Sequence, residues 1–359
     1  MPNKQKAETE SNRKGRLKVL SFGAGALGTY IGGSLALQGH QVVFLERPEV
    51  AAALKEKGMH LQLDGKQKTI QNPVIVQTLE EAFQLDHFDL ALFALKSFDT
   101  QSALEQMSPF LEQLPPVLDL QNGVENELAL SAVLGEDHVI AGTVTSAIGR
   151  KGVGDIVLER LRGMGIAGDH PLASDLVVIL NEAGLNARLY RHAEDMKWSK
   201  MLTNLLGNAT SAILDMPPGK IFEHSGLAKL EINQLREALK VMDVLQIHPV
   251  DLPGTPVRAL TFAVRTLPPK LSKTILKNAV GSGRGGKMPS FHIDLHNGRG
   301  QSEVDYLNGA VVRFGEESGV PTPVNRFLND TLLALVRGEL PLNTYQHKPE
   351  KLLKKAGIS

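Results

Sequence analysis

Apolar residues run along this chain in two rhythms. Through the first half they gather into short runs, at 17–22, 42–46, 88–95, 117–120 and 138–143, each bounded by turn-forming or polar residues. Runs of this kind predict buried strands. Between them the period lengthens: Ile31, Leu35 and Leu37 mark one helix, 48–57 suits a second and about 100–111 a third. Strands and helices alternating at this pace predict a parallel sheet wound on both faces. Two later runs, around 155–161 and 186–190, read as strands joining antiparallel.

From His192 onward the spacing becomes helical throughout. The pattern predicts helices over about 192–214, 224–246, 257–266, 269–280, 290–297, 303–318 and 324–337. Gly254, Pro268-Pro269 and the glycine-rich stretch 281–286 punctuate them. The expected organisation is a disordered tail over 1–16, a sheet domain over 17–190, a helical domain over 191–340 and a C-terminal tail or peripheral helix over 341–359.

Composition narrows the partners. The 359 residues are 42% apolar and 22% charged, ordinary for a soluble globular protein, and the formal net charge is +0. Without a basic surplus, neither nucleic acid nor an anionic membrane is expected as the main partner. The absence of cysteine excludes disulfides, thiolate nucleophiles and Cys-ligated metal centres. Residues 1–16 lack the apolar core of a secretory signal, and no apolar run is long enough to span a bilayer, so a cytoplasmic protein is expected.

The first strand-to-helix turn carries chemistry. It reads Gly23-Ala24-Gly25-Ala26-Leu27-Gly28, and the strand after the helix closes on Glu46. The first glycine permits the tight turn, the second lets a pyrophosphate approach the backbone, and the third lets helix and strand pack closely. Exposed N–H groups at the helix start then hold phosphate. Strand, turn, helix, strand and terminal acid in this order predict a dinucleotide site.

A second constellation lies in the helical half. Along 198–214 the only charge is Lys200, with Asn204 and Asn208 following at i+4 and i+8. On one continuous helix these three side chains share a face. A Lys-Asn-Asn stripe amid Met201, Leu202, Leu205 and Leu206 suits an inward-facing site, because buried polar groups need partners and a ligand supplies them. A protonated amine there can stabilise charge developing on a ketone oxygen during hydride transfer and donate the proton.

Trp198-Ser199-Lys200-Met201-Leu202 with Asn204 and Asn208 resembles the corresponding helix of the ketopantoate reductase (2-dehydropantoate 2-reductase) family. Lys96 closing its strand, Gln121-Asn122-Gly123, Pro289-Ser290 and the run from Ser302 to Gly309 match in the same order, over residues 17 to about 337. The resemblance implies an N-terminal Rossmann doubly wound parallel sheet with an all-helical C-terminal domain of the 6-phosphogluconate dehydrogenase-like type. It implies Lys200 as general acid assisted by Glu303, substrate binding by Asn204, Asn208 and Ser290, and cofactor binding by Gly23, Gly25, Ala26, Leu27, Gly28, Arg47, Lys96 and Asn122. Read without the family, Glu303 is equally a carboxylate at a helix start.

The implied reaction is NADPH-dependent reduction of a 2-keto acid, foremost 2-dehydropantoate to pantoate, as in pantothenate biosynthesis. Glu46 stands where an acid holds the ribose of NAD, while Arg47 matches the arginine of NADPH-using members, so NADP is expected with NAD as the alternative. Residues 290–294 read Ser-Phe-His-Ile-Asp where the family commonly has Ser-Met-Leu-Gln-Asp, which leaves another keto or hydroxy acid open as substrate. A non-catalytic nucleotide-binding regulator is the reading from another class. The expected partner is a small molecule, with a homodimer admissible. His292 and His296 are one helical turn apart, a spacing metals use, but the sequence shows no third ligand and no metal is expected.

Overall fold

The computed structural model describes residues 16–268, 287–296, 298 and 300–358. The predicted tail up to residue 15, the predicted helix at 269–280 and the glycine-rich stretch 281–286 lie outside the described residues. The chain forms two compact units, one of Met1–Gln121 with Asn126–Ala193, the other of Asn122–Glu125 with Glu194–Ser359.

In the first unit the strands β1 (Lys18–Phe22), β2 (Gln41–Leu45), β3 (Met59–Leu63), β4 (Lys66–Ile70), β5 (Val74–Val76), β6 (Leu90–Phe93), β7 (Val117–Asp119), β8 (Val139–Val144), β9 (Ala147–Gly152), β10 (Asp155–Arg160), β11 (Met164–Ala167) and β12 (Ala187–Tyr190) make two sheets. The larger has the order β12-β11-β8-β7-β6-β1-β2-β5. From β8 to β5 every pairing is parallel. The helices α1 (Ala26–Leu37), α2 (Pro48–Lys57), α3 (Leu79–Leu85), α4 (Thr100–Met107), α5 (Asn126–Leu134) and α6 (Ala173–Glu182) connect them.

Period-two alternation explains the double winding. Val19, Leu90, Leu92, Leu118 and Ile140 pack into a core with Ile31 and Leu35 of α1. Their chain neighbours Leu20, Ala91, Phe93 and Val117 enter a separate core with Leu104, Met107 and Leu130. Successive side chains of a strand point to opposite faces, so a continuous apolar run feeds both.

Both later strands run antiparallel to a neighbour or to the sheet body, with detail the sequence did not show. β11 runs antiparallel to β8 and β12 pairs with β11 in parallel, so β12 opposes the parallel strands and β11 makes the antiparallel join. β10 belongs to the second sheet, of order β4-β3-β10-β9, where it is antiparallel to β9 and parallel to β3. The β3–β4 hairpin escaped the hydropathy reading because β4, Lys-Gln-Lys-Thr-Ile, is largely exposed. Its turn, Asp64-Gly65 with φ of 47° and 74°, is nevertheless a strong local hairpin signal.

The second unit is helical: α7 (Ala193–Leu205, whose first residue belongs to the first unit), α8 (Asn208–Leu214), α9 (Pro218–Glu223), α10 (Ser225–Val244), α11 (Val257–Thr266), α12 (Ser290–His296), a π-helical turn Asp305–Gly309 leading into α13 (Ala310–Ser318), α14 (Pro323–Val336) and α15 (Pro349–Lys355). The single helix predicted over 192–214 is broken. Gly207 takes a left-handed φ of 63° between α7 and α8, a conformation glycine adopts without penalty. At the C-terminus, where a tail or peripheral helix was expected, Leu352 and Leu353 of α15 are buried and the His347 N–H donates to the Leu214 carbonyl at 2.8 Å.

Candidate active site

The glycine turn joins β1 to α1. A Cβ built on Gly28 would stand 2.0 Å from the Gly23 carbonyl oxygen, so only glycine lets the helix start fold this close to the strand end. Above Gly25 a Cβ would meet nothing within 4 Å. Gly25 is also the N-cap of α1 and brings no capping side chain, and the first turn holds no acid. The N-terminal amides of a twelve-residue helix are therefore left to an outside acceptor. Ala26 and Leu27 supply part of that first turn.

Glu46 follows β2. Its Oε1 accepts the Ala24 N–H at 2.5 Å and its Oε2 accepts the Arg47 N–H at 3.1 Å, so the carboxylate braces the turn itself. Arg47 is exposed, directly before α2, whose first residue is Pro48. Lys96, half-buried, caps a 3-10 turn at Ser97–Asp99 after β6. Gln121 is buried and exchanges hydrogen bonds with Thr100, which makes it a structural member of its motif.

In the second unit Lys200 sits half-buried on α7, whose Trp198, Ser199, Met201 and Leu202 are all buried. Trp198 packs edge-on against Phe314 with ring centroids 5.3 Å apart, and Ser199 Oγ accepts the Val250 N–H at 2.8 Å. Lys197, 4% exposed, is a second cation on this helix that the sequence reading passed over. One turn beyond Lys200, Asn204 Nδ2 donates to Asn122 Oδ1 at 2.9 Å. Asn122, assigned to the cofactor by resemblance, thus meets the asparagine that the same resemblance assigns to substrate, and its segment 122–125 groups with the helical unit.

Past the Gly207 break, Asn208 opens α8 and is buried. Its Oδ1 accepts the Phe291 N–H at 3.1 Å and its Nδ2 reaches Ser290 Oγ at 3.4 Å. Asn208 therefore fixes the start of α12 and with it the exposed Ser290. The family departure at Phe291 falls on a fully buried side chain, and Ser290 stays available beside it.

A buried polar network holds these pieces in register. Glu231 of α10 accepts the Gly207 N–H at 2.7 Å, the Gln234 amide at 3.1 Å and the Thr210 hydroxyl. Gln234 donates to the Leu205 carbonyl at 3.0 Å and accepts from Asn308 at 2.9 Å. Asn308 also donates to Asn325, whose amide reaches Glu237 at 2.8 Å. Burial pushes the Glu237 carboxyl up, against the pull of the Asn325 and Val324 N–H groups it accepts. Such networks specify one arrangement because any orphaned member is costly. Hydropathy marks none of these residues, since polar positions on an amphipathic helix look solvated until the fold covers them.

Glu303 is 2% exposed at the head of the helical run that carries Asn308 through the π-turn. It stands at a helix start and is buried. π-turns recur at functional sites. Arg313, beyond that turn, grips Glu125 with two bonds of 2.7 and 2.6 Å and Asp305 at 3.1 Å. This tethers the segment holding Asn122, and the paired carboxylates raise the guanidinium pKa.

Residues 19–169 match the family model "Ketopantoate reductase PanE/ApbA", and 192–336 match "Ketopantoate reductase PanE/ApbA C terminal". The chain belongs to the ketopantoate reductase family. It is 25% identical over 319 residues to a 2-dehydropantoate 2-reductase of Lactococcus lactis, covering 87% of this chain and 96% of the relative. A 2-dehydropantoate 2-reductase of Archaeoglobus fulgidus is 26% identical over 328 residues, covering 89% and 97%.

Among solved structures, a PanE/ApbA family ketopantoate reductase from Ralstonia eutropha JMP134 superposes with a TM-score of 0.75 at 28% identity, covering 90% of this chain and 99% of that one. A ternary structure of D-mandelate dehydrogenase with NADH and anilino(oxo)acetate also gives 0.75, at 25% identity, covering 91% and 99%. The protein is an oxidoreductase of the 2-dehydropantoate 2-reductase type, working on a small molecule with a nicotinamide cofactor. Among the described residues no helix is long and apolar enough to cross a membrane.

Proposed function

We propose that this protein reduces a 2-keto acid with NADPH, with 2-dehydropantoate the first substrate to test and pantoate the product. The observation that carries the reading is α7 with the break that follows it: α7 presents half-buried Lys200 and Asn204 one turn apart, and past Gly207 Asn208 meets Ser290. Residues of the first unit fit the cofactor: the uncapped amides at Gly25, Ala26 and Leu27, with open space over Gly25, suit a pyrophosphate. The exposed Arg47, beside a glutamate already engaged with Ala24, favours a 2′-phosphate. Lys96 and Asn122 complete the proposed cofactor set.

NADPH supplies a hydride to the carbonyl carbon when bound. As negative charge develops on the carbonyl oxygen, the Lys200 ammonium hydrogen-bonds it and gives it a proton, leaving the alcohol and a neutral amine that is reprotonated from water. Glu303 supplies a countercharge for the ammonium. The Asn204 amide and Ser290 hydroxyl orient the carboxylate and hydroxyl of the substrate without adding competing charge, and Asn208 holds Ser290 in place.

The likeness to D-mandelate dehydrogenase with NADH supports a second reading, a 2-keto acid with a bulkier substituent reduced by NADH. Steady-state assays of nicotinamide oxidation with both cofactors and a panel of 2-keto acids separate the two. The first reading requires the highest kcat/KM with 2-dehydropantoate and NADPH. Turnover of none of the panel would remove both.

A further inference from the structure

Three side chains that take no part in the proposed reaction converge at the far end of α8. Asp215, the C-cap of that helix, adopts left-handed φ 52° and ψ 47°, a conformation aspartate tolerates better than most residues. Its Oδ1 accepts from His292 Nε2 at 2.7 Å across 77 positions of sequence. His296 lies one turn along α12 from His292, with the two rings 4.2 Å apart. One donor atom from each of Asp215, His292 and His296 lies within 4.8 Å of the other two.

We propose that Asp215, His292 and His296 form a site for one divalent transition-metal ion of the zinc class. Two imidazoles and a carboxylate are a donor set such ions accept, at bonds of about 2.0–2.2 Å. Donors around a tetrahedral ion therefore stand roughly 3.3 Å apart, so the triad has to tighten by up to about 1.5 Å. His296 is exposed at the last turn of α12 and has room to swing inward. The ion takes the place of the His292–Asp215 hydrogen bond, and because a metal-bound imidazole must be unprotonated at the ligating nitrogen, binding weakens in acid.

The surroundings are those of a supported site. Gln346 donates to Asp215 Oδ2 at 2.9 Å, orienting the carboxylate, and His347 Nε2 stands 3.7 Å from the same oxygen as a fourth donor within reach. The Gln346 and His292 hydrogen bonds hold the Asp215 carboxyl below its ordinary range and so keep it ionised. An ion here ties together α8, α12 and the segment at 346–347. It acts as a clamp, because α8 opens on Asn208 and α12 on Ser290.

The test uses full-length protein without an affinity tag, stripped with chelator and dialysed against zinc. One zinc per chain, a zinc-dependent rise in Tm, and a visible cobalt(II) spectrum of low-symmetry coordination are expected. His296→Ala, at an exposed position that does not endanger folding, should weaken zinc at least about tenfold, and Gln346→Ala about 10- to 100-fold. Equal zinc binding by wild type and His296→Ala, or a cobalt spectrum matching the hydrated ion, overturns the site and leaves a plain His–Asp ion pair.

Discussion

Two alanine substitutions three positions apart, Gly28→Ala and Gly25→Ala, separate what the glycine turn does for the fold from what it is proposed to do for the cofactor. At Gly28 the new Cβ would meet the Gly23 carbonyl oxygen at 2.0 Å and the Gly23 carbonyl carbon at 2.9 Å, both backbone atoms. Real Cβ contacts are essentially never under 3.0 Å, so about an ångström has to open between β1 and α1. Overpacking of that size costs about 1–3 kcal/mol. For a unit of this size that lowers Tm by about 2–12 °C.

At Gly25 the Cβ meets nothing within 4 Å, so Gly25→Ala should leave Tm within about 2 °C of wild type. It would project into the space proposed for the pyrophosphate and weaken NADPH about tenfold or more. Calorimetric melting and titration of NADPH into both variants give the four numbers. A wild-type Tm for Gly28→Ala refutes the close approach, and wild-type NADPH affinity for Gly25→Ala refutes the phosphate path over this glycine.

Lys200→Ala should lower kcat about 10²- to 10⁴-fold with cofactor Kd nearly unchanged; more than a tenth of wild-type turnover removes Lys200 from the chemistry. Arg47→Ala should weaken NADPH much more than NADH, since the charge-assisted contact exists for only one, and equal weakening would return the preference to Glu46. Glu231→Ala orphans the Gly207 N–H, the Thr210 hydroxyl and part of the Gln234 amide, a loss of about 3–5 kcal/mol in urea unfolding, together with a raised KM; a loss under about 1 kcal/mol would show the helix break holds without it. The depressed Asp215 carboxyl contributes stability that is present above its unfolded value near about pH 4 and is lost as pH falls through the lower folded value. In chelator, the Tm advantage of wild type over Asp215→Asn should be flat above about pH 5 and shrink in acid, and a constant difference would discount the shift.

Local and periodic features were legible in the chain. The glycine turn, its flanking strands and Glu46 lie within one strand-helix-strand unit, where covalent order fixes spatial order. The near-continuous apolar runs at 17–22 and 88–95, short and bounded by turn signals, specified strands buried on both faces. Lys200 and Asn204 could be read as neighbours because one helical turn separates them.

Asn208 was assigned to the same helix, yet its position is set by the left-handed Gly207 and by Glu231, which comes 24 residues later. The Asn204–Asn122 pair spans 82 positions and the Arg313–Glu125 tether 188, distances over which sequence pattern carries no register. The third member of the His292–His296 cluster was invisible for the same reason, since Asp215 reaches it only when α8 packs on α12. Propensity and hydropathy act over a few residues, so the chain alone determined the elements and the chemistry available to them. Which polar side chains meet is decided by packing, because a buried polar group is stable only where the whole fold supplies its partner.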